Sequence, residues 1–388
     1  MDTLSIDFSA PLRVARPRTI AELGKLVIEA RRTGHGVYPV GGRTTLDVGL
    51  PPTKPGVALD TTALNSVIDY PARDMTITAQ AGITLAALQA ELAKEGQWLP
   101  VDVAAPERAT LGGAIALNQS GPHRYGYGTL RDYVIGISFI TDDGVEVKAG
   151  GRVVKNVAGY DLMKLQIGAV GTLGIITQVT LKVKPRAEAS AGLAFSCTAD
   201  ALDEVLDALH ASKSRPSTIE LLNVDAWRAA DISPQIAGPW IIAVGFEEKA
   251  ATVRWQLATL RAELASASVH DLAEISNPTD LWSAITRLQL RSESRCIGKV
   301  SVQPGQLATV IAGIRGGPMH AHAQNGVLWT HDVESVLGGA VLRRCPIDQK
   351  KSLAVWGRRT AGWDVMRTVK RTLDPDNVFN PGRLFGDL

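Results

Sequence analysis

Apolar positions in the first half of the chain recur with two different periods. Between residues 20 and 30 they fall three or four residues apart behind Thr19, which predicts an amphipathic helix with a threonine N-cap. A second helix is predicted behind Thr84, over residues 85–92. Shorter apolar runs predict strands at residues 37–40, 57–60 and 75–79. Helices packed against a sheet are therefore expected in this half.

A hairpin and a buried strand are predicted in the middle of the chain. Two apolar runs, 134–141 and 145–148, flank Asp142-Asp143-Gly144, and an Asp-Gly pair between such runs is typical of a tight β-turn. Residues 175–183 are rich in β-branched side chains and end just before Pro185, which predicts a buried strand.

Three glycine-rich stretches lie where predicted elements begin or end. The first combines paired glycines with hydroxyl groups and comprises Gly41, Gly42, Arg43, Thr44 and Thr45. The second opens a predicted helix with Thr110, Gly112 and Gly113. The third precedes the strand at residues 175–183 and contains Gly168, Gly171 and Gly174. Such backbone can approach a ligand closely, and we expect free amides at the helix start in particular. Together the stretches predict a site for a flat or anionic ligand.

The pattern changes after residue 187. Strands are predicted at residues 193–196, 219–222, 241–246 and 297–302, and helices at 200–210 and 250–264. This succession predicts an α+β cap domain with an antiparallel sheet. Four tryptophans there are expected to anchor the core or an interface: Trp227, Trp240, Trp255 and Trp282. We therefore expect a first domain over residues 1–187, a cap over 188–345, and a C-terminal segment over 346–388 that returns to the first domain.

The C-terminal segment contains one strongly amphipathic helix, predicted to begin after Gly362. The apolar side, which we expect to face the first domain, carries Val365, Met366, Val369 and Leu373. The opposite side, which we expect to be a solvated basic face or a docking site for an acidic partner, carries Arg367, Lys370 and Arg371.

The composition of the chain mainly excludes classes of protein. With 388 residues, of which 45% are hydrophobic and 21% charged, the chain is globular and long enough for two domains. A net charge of +2 without runs of like charge gives no indication of nucleic-acid binding. The absence of an apolar stretch of membrane-spanning length and of a secretory signal predicts a cytoplasmic protein without direct membrane insertion. The three cysteines, Cys197, Cys296 and Cys345, are too few to ligate an iron–sulfur cluster.

The order of the motifs resembles the PCMH-type FAD-binding superfamily, also called the vanillyl-alcohol oxidase superfamily. In chain order the resemblance is carried by Gly41-Gly42, Ala79-Gln80-Ala81-Gly82, Thr110-Leu111-Gly112-Gly113, the stretch from Asn118 to Gly121, Lys155-Asn156-Val157-Ala158-Gly159-Tyr160-Asp161-Leu162, Gly171-Thr172-Leu173-Gly174-Ile175-Ile176-Thr177 and Phe379-Asn380-Pro381-Gly382-Arg383. Within the superfamily, the segment at residues 155–162 and the short total length most resemble the smaller FAD-domain subunits of bacterial glycolate oxidases, or glycolate dehydrogenases.

The resemblance implies an α+β fold made of a two-part PCMH-type FAD-binding domain and a cap, with FAD as cofactor. The residues implied to hold the pyrophosphate are Gly41, Gly42, Arg43, Thr44 and Thr45. Those implied to line the pyrophosphate and isoalloxazine side are Thr110, Gly112, Gly113, Asn118 and Ser120. The adenine and ribose end would meet Gly171, Gly174 and Ile176, while the residues returning from the C-terminus toward the flavin would be Asn380 and Arg383. Arg43 departs from the family, which often has glycine or asparagine there.

The resemblance also implies a function. The chain would be the FAD-binding subunit of a complex that oxidises a small 2-hydroxy acid, glycolate to glyoxylate, with a larger FAD-domain subunit and an iron–sulfur subunit as partners. Membrane association would then come only through those partners. Two alternatives stay open: a self-sufficient FAD-dependent D-lactate or D-2-hydroxy-acid dehydrogenase, and a cofactor-free structural subunit. The intact glycine-rich stretches disfavour the structural subunit.

Candidate catalytic residues are few. Relatives that oxidise 2-hydroxy acids themselves carry a His-x-Gly-Asp-Gly-Asn-x-His signature, and the nearest stretch in this chain, residues 320–326, lacks its aspartate and its final histidine. His320 and His322 share one face of a predicted strand, but no third ligand lies nearby, so no metal site is predicted. His322 is a candidate base, with a buried structural histidine as the alternative. Arg343 is a candidate for binding a carboxylate, with a surface charge pair beside Arg344 as the alternative.

Overall fold

A computed structural model of the chain describes residues 3–7, 12–151, 161–334 and 337–388. The chain divides into two compact units. The first unit comprises Met1–Gln119, Thr129–Pro185 and Ile347–Leu388, and the second comprises Ser120–Gly128 and Arg186–Pro346. The boundaries expected after residues 187 and 345 lie within two residues of these, whereas residues 120–128, expected in the first domain, belong by their contacts to the second unit. That each unit is an independent domain stays a prediction.

Strands occur in both units. In chain order they are β1 (Thr3–Leu4), β2 (Leu12–Ala15), β3 (Gly36–Val40), β4 (Gly56–Asp60), β5 (Val67–Asp69), β6 (Thr76–Gln80), β7 (Gln97–Trp98), β8 (Val134–Ile140), β9 (Glu146–Gly150), β10 (Ile175–Lys182), β11 (Lys184–Pro185), β12 (Ala189–Cys197), β13 (Thr218–Asn223), β14 (Trp240–Glu248), β15 (Val269–Ile275), β16 (Ile297–Ser301), β17 (Met319–His322), β18 (Val327–His331) and β19 (Val341–Arg344).

Helices also occur in both units. In chain order they are α1 (Ile20–Arg32), α2 (Leu85–Ala93), α3 (Leu111–Ala116), α4 (Arg124–Tyr127), α5 (Leu130–Tyr133), α6 (Met163–Gln166), α7 (Leu202–Ala211), α8 (Val224–Ala229), α9 (Ala250–Leu264), α10 (Thr279–Leu288), α11 (Leu307–Ala312), α12 (Ile347–Lys350) and α13 (Trp363–Leu373). No helix in the described ranges combines the length and the apolar character needed to cross a membrane.

Two main sheets form the first unit. Strands pair in the order β1-β2-β4-β3 in one sheet, where β3 and β4 run parallel, and in the order β5-β6-β10-β8-β9 in the other, which is antiparallel throughout. Thr19 caps α1 by accepting a hydrogen bond from the Glu22 amide at 3.1 Å, as predicted. The predicted hairpin is confirmed, because Ile140 of β8 pairs with Glu146 of β9 around Gly144, whose φ is +76°.

The second unit is an eight-stranded antiparallel sheet covered by helices on both faces. Strand order is β15-β12-β14-β13-β17-β18-β16-β19, and the predicted antiparallel cap sheet is therefore confirmed. Side chains from α7, α9 and α11 cover one face, and side chains from α8 and α10 cover part of the other. Trp227 and Trp282 are buried in that second layer, but Trp255 is 54% exposed and lies outside the core, so for Trp255 only the predicted interface role stays open. Helix α9 buries Val253 and Leu257, which leaves position 255 outside.

Helix α13 departs from the predicted orientation at Lys370 and along its apolar side, whereas Arg371 is exposed as expected. Lys370 is buried, whereas Val365 is 65% exposed and Met366 and Leu373 are also exposed. The Lys370 ammonium forms an ion pair with buried Asp374 and donates to the carbonyls of Thr172 and Phe379, each at 2.9 Å. The three acceptors of Lys370 orient the helix more strongly than its apolar residues do. The spacing of residues along the helix does not reveal these acceptors.

We expect Lys370→Met to lower the free energy of unfolding by about 3–5 kcal/mol, because Asp374 would stay buried without its cation. Urea and thermal unfolding of the purified chain measure the change. Arg371→Met, on the exposed neighbour, is the matched control and is expected to shift the free energy by less than about 0.5 kcal/mol. Equal effects of the two substitutions would contradict the inward position of Lys370.

Candidate cofactor site

A single groove in the first unit collects most of the predicted cofactor residues. The groove encloses about 930 Å³ of empty space, part of which is open to solvent. Thirteen of the fifteen predicted residues line it: Gly41, Gly42, Arg43, Thr44, Thr45, Thr110, Gly112, Gly113, Gly171, Gly174, Ile176, Asn380 and Arg383. Asn118 and Ser120 do not line it. Residues distant in sequence thus converge on one cavity.

The loop at residues 41–45 leaves the end of β3 and needs glycine for close packing. A Cβ atom on Gly42 would lie 1.6 Å from the carbonyl oxygen of Arg108, and one on Gly41 would lie 2.0 Å from the Thr110 hydroxyl. Arg43 follows with a φ of +57°, a left-handed conformation that glycine and asparagine favour. Close approach of this backbone to a ligand was predicted. Much of the close contact is instead with the protein's own chain.

The same loop offers hydrogen-bond donors to the groove. Among the residues that the structure describes, the amides of Gly42, Thr44 and Thr45 have no acceptor, and neither threonine hydroxyl has a partner. This irregular backbone therefore presents donors on a cavity wall, where an anionic ligand can accept them.

Charge at the base of the loop is balanced. The buried Asp60 carboxylate lies 2.8 Å from the Arg16 guanidinium and 3.4 Å from that of Arg43. Burial alone would raise the pKa of Asp60, but hydrogen bonds from Thr62 and Arg16 hold that pKa below its usual value. The carboxylate is therefore ionised and neutralised by two arginines, so it does not exclude an anion from the groove.

Helix α3 contributes shape rather than free donors. The amide of Leu111 donates to Ile83, that of Gly112 donates to Ala81 at 2.7 Å, and that of Gly113 meets the Thr110 hydroxyl at 3.4 Å. The prediction of free N–H groups at this helix start was therefore wrong, because the preceding strand region already supplies acceptors. Gly112 is needed for contact, since a Cβ there would lie 2.8 Å from that of Ala81.

The predicted glycine turn before β10 is confirmed. Gly168, Gly171 and Gly174 have φ values of +80°, +64° and +148°, respectively. Val170 also adopts a left-handed φ of +57°, which costs a β-branched residue about 1–3 kcal/mol. The side-chain amide of Asn380 holds this turn by donating to the Val170 carbonyl at 2.7 Å. A strained turn clamped in this way forms one wall of the groove.

Arg383 lines the groove, but its guanidinium binds other groups of the protein. Its guanidinium is buried, pairs with Asp7 and donates to the carbonyls of Leu46, Val48 and Leu50. Burial lowers the pKa of Arg383, and the Asp7 carboxylate opposes that effect. The side chain therefore shapes the loop beneath the groove, and little of its donor capacity faces a ligand.

The remaining predictions fall outside the groove. Asn118 has a φ of +45° and a buried side-chain oxygen without a hydrogen-bond partner. Ser120 is buried in the second unit, where its carbonyl accepts from the Gln289 side chain at 2.9 Å. Lys155, Asn156 and the rest of the segment at residues 155–160, which are central to the sequence resemblance, lie outside the described residues.

These features fit FAD. The cavity has the volume of a small-molecule site and apolar walls at Ile6, Val40 and Ile176 that suit flat rings. Unpaired amides beside a neutralised carboxylate suit a diphosphate. A Cβ at Gly41 or Gly42 would collide with Thr110 or Arg108, which lie behind the loop at residues 41–45. The shape of that loop therefore requires glycine at both positions.

The second unit contains the histidine candidates. His322 on β17 is buried, and its Nδ1 lies 2.8 Å from Glu220 on β13, while Nε2 has no partner. His320 stacks between Trp329 and His331, with ring centroids 5.9 and 5.6 Å away. Burial lowers the pKa of His320 well below its usual value and that of His331 to about 4. No cluster of three or more potential metal ligands occurs in the described parts of the chain.

Arg343 belongs to a group of cations that the sequence did not reveal. Arg343 is the extra residue of a β-bulge in β19, between the pairs that Leu342 and Arg344 make with β16. It does not form a surface pair with Arg344, which donates to the carbonyl of Arg291 at 2.7 Å. Lys299 on β16 lies over the Trp329 ring at 5.5 Å. Burial, with Arg343 and Arg124 nearby, lowers the pKa of Lys299 to about 7.

Sequence comparison identifies families and relatives. Residues 11–150 match the FAD binding domain family, and residues 184–315 and 349–384 match the C-terminal domain of FAD linked oxidases. The chain is 24% identical to glycolate oxidase subunit GlcD of Bacillus subtilis, covering 97% of this chain and 89% of that protein. It is 29% identical to glycolate oxidase subunit GlcE of Escherichia coli, covering 90% and 92%. A D-lactate dehydrogenase of Archaeoglobus fulgidus is 25% identical, covering 97% and 91%.

Structure comparison supports the fold. An alkyldihydroxyacetonephosphate synthase structure superposes with a TM-score of 0.68 and 20% identity, covering 97% of this chain and 78% of that one. At this identity, the likeness concerns the fold alone. Because both halves of the FAD-linked oxidase architecture are matched along the chain, and the glycine-shaped groove fits the cofactor, this chain belongs to the PCMH-type FAD-binding superfamily and its cofactor is FAD.

Proposed function

We propose that this chain is the FAD-binding subunit of a 2-hydroxy-acid dehydrogenase complex that oxidises glycolate to glyoxylate. The observation that carries the proposal is the convergence of thirteen predicted cofactor residues on one groove. The names of two relatives that align over most of their length, both glycolate oxidase subunits, support the substrate and the assembly.

The groove residues are assigned roles within this proposal. The amides of Gly42, Thr44 and Thr45 bind the diphosphate, because they are unpaired donors on the cavity wall. The turn around Gly171, held by Asn380, shapes the adenine and ribose end. FAD, when bound, accepts the hydride released from the α-carbon of the hydroxy acid. The chain itself supplies the shape of the groove and the hydrogen-bond donors.

Electrons are proposed to leave for an iron–sulfur partner subunit. A cluster bound by four cysteine thiolates needs more cysteines than Cys197, Cys296 and Cys345 provide, and two of these are buried. Burial raises the pKa of Cys197 to about 11, so this thiol is a poor ligand at neutral pH. A larger FAD-domain subunit is the second proposed partner.

A second candidate function is that the hydroxy acid is oxidised on this chain itself. Lys299 and Arg343 present positive charge for which the structure describes no acidic partner, and such a pair suits a substrate carboxylate. His322 suits the base, since Glu220 orients Nδ1 and leaves Nε2 to take the hydroxyl proton.

The spectrum of the purified chain, expressed alone and mixed with glycolate without air, separates these functions. A bound flavin whose absorbance is unchanged by glycolate is the result expected for a FAD-binding subunit that needs its partners. A flavin that bleaches would assign oxidation to this chain. A colourless chain that binds no added FAD would contradict both functions.

Gly42→Ala is expected to weaken FAD binding at least tenfold, because the new methyl group would lie 1.6 Å from the Arg108 carbonyl and displace the diphosphate loop. Titration of the apoprotein with FAD, followed by fluorescence quenching, gives the dissociation constant, and far-UV circular dichroism verifies folding. Gly305→Ala is the matched control, since a Cβ there meets nothing within 4 Å. Undiminished affinity in Gly42→Ala would overturn the role of the loop.

Carboxylate binding at Lys299 is expected to depend on pH. With its pKa lowered to about 7, the ammonium is charged at pH 6 and largely neutral at pH 8.5, so oxalate affinity should fall about tenfold over this interval. Calorimetric titration with oxalate, a dicarboxylate that cannot donate a hydride from an α-carbon, measures the change. Lys299→Arg should flatten the profile, because arginine stays charged throughout. A flat profile in the unmodified chain would contradict the carboxylate site.

A further inference from the structure

Two buried cations bind every backbone carbonyl of the loop at residues 46–50. This loop directly follows residues 41–45, which form the proposed diphosphate cradle. Arg383 donates to the carbonyls of Leu46, Val48 and Leu50. Lys350 donates to those between them, Asp47 at 2.5 Å and Gly49 at 2.8 Å. Five successive carbonyls therefore alternate between one guanidinium and one ammonium, both supplied by the C-terminal segment of the chain.

One carboxylate from the N-terminal segment joins the two cations. Asp7 forms ion pairs with Lys350 and with Arg383, and all three side chains are at most 6% exposed. Two positive charges and one negative charge leave a net charge of +1 beside the groove. The preceding residue, Ile6, lies on the groove wall itself. The N-terminal segment thus contributes both to the cavity and to its support.

The loop at residues 46–50 has little regular backbone hydrogen bonding of its own. It contains neither helix nor strand, and its backbone amides make only two bonds to other backbone groups of the described chain, from Val48 to the Thr45 carbonyl and from Leu50 to the Arg383 carbonyl. The carbonyls of this loop instead turn toward the two buried cations. Because residues 41–45 continue directly into this loop, its geometry fixes one end of the diphosphate cradle.

We propose that Lys350 and Asp7 are positioning residues for the cofactor diphosphate. They act through the loop at residues 46–50, because Lys350 binds two of its carbonyls and Asp7 holds Lys350 and Arg383 together. The proposal rests on the assignment of the diphosphate to residues 41–45. A purely structural role would change the stability of the apoprotein but not its affinity for FAD measured well below the melting temperature.

Lys350→Met is the informative substitution, because it leaves the buried pair of Asp7 and Arg383 neutral and intact while releasing two carbonyls. We expect the dissociation constants of FAD and of ADP, which also carries a diphosphate, to rise at least tenfold at 15 °C, with riboflavin binding changed less than twofold. Lys54→Met is the matched control: this lysine lies just beyond the loop and donates to Asp376 and Asn377 instead. Lys54→Met should change none of the three dissociation constants.

Should Lys350→Met fail to fold, Asp7→Asn provides a second variant. It should raise the dissociation constants of FAD and of ADP by the same factor. Folding is verified by circular dichroism before each titration. Equal loss for riboflavin and FAD, or unchanged FAD affinity in a folded variant, would overturn the positioning role. Failure of the unmodified chain to bind ADP or FAD would instead refute the diphosphate site itself, so the two failures are distinguishable.

Discussion

Buried cations that bind backbone carbonyls hold the cofactor groove together. Its walls are irregular loops, whose carbonyls cannot all be satisfied by neighbouring strands. The C-terminal segment supplies Lys350, Lys370 and Arg383, which together donate to carbonyls of the loop at residues 46–50, of Thr172 and of Phe379. Removing any of these cations would leave buried polar groups unpaired, so the groove depends on the return of the chain to its first unit.

Glycine makes the complementary contribution. At Gly41 and Gly42 it allows two loops to meet at distances that no side chain permits, and at Gly171 it allows a left-handed turn. The cations fix where the loops lie, and the glycines set how closely they pack. Unpaired amides and apolar walls face the cavity, and Asp60 at the base of the loop is neutralised, which together suit a dinucleotide.

Local patterns in the sequence predicted local structure well. The capped helix at Thr19, the hairpin around Gly144 and the antiparallel cap sheet follow from spacing and turn chemistry, and all are present. Long-range polar contacts did not follow in the same way. Lys370 looked like a surface residue because its acceptors lie up to 198 residues away, and Lys299 gave no signal because its neighbours come from other strands. Two of the amides predicted to be free at α3 failed for the same reason, since the carbonyls of Ile83 and Ala81 bind them.

Hydrogen exchange of the apoprotein with and without FAD tests the central claim most directly. We expect FAD to slow exchange of the amides at residues 42–45 and in the turn at residues 170–174, with one FAD bound per chain. Protection confined to other parts of the chain, or no protection at saturating FAD, would contradict the assignment of the groove as the cofactor site.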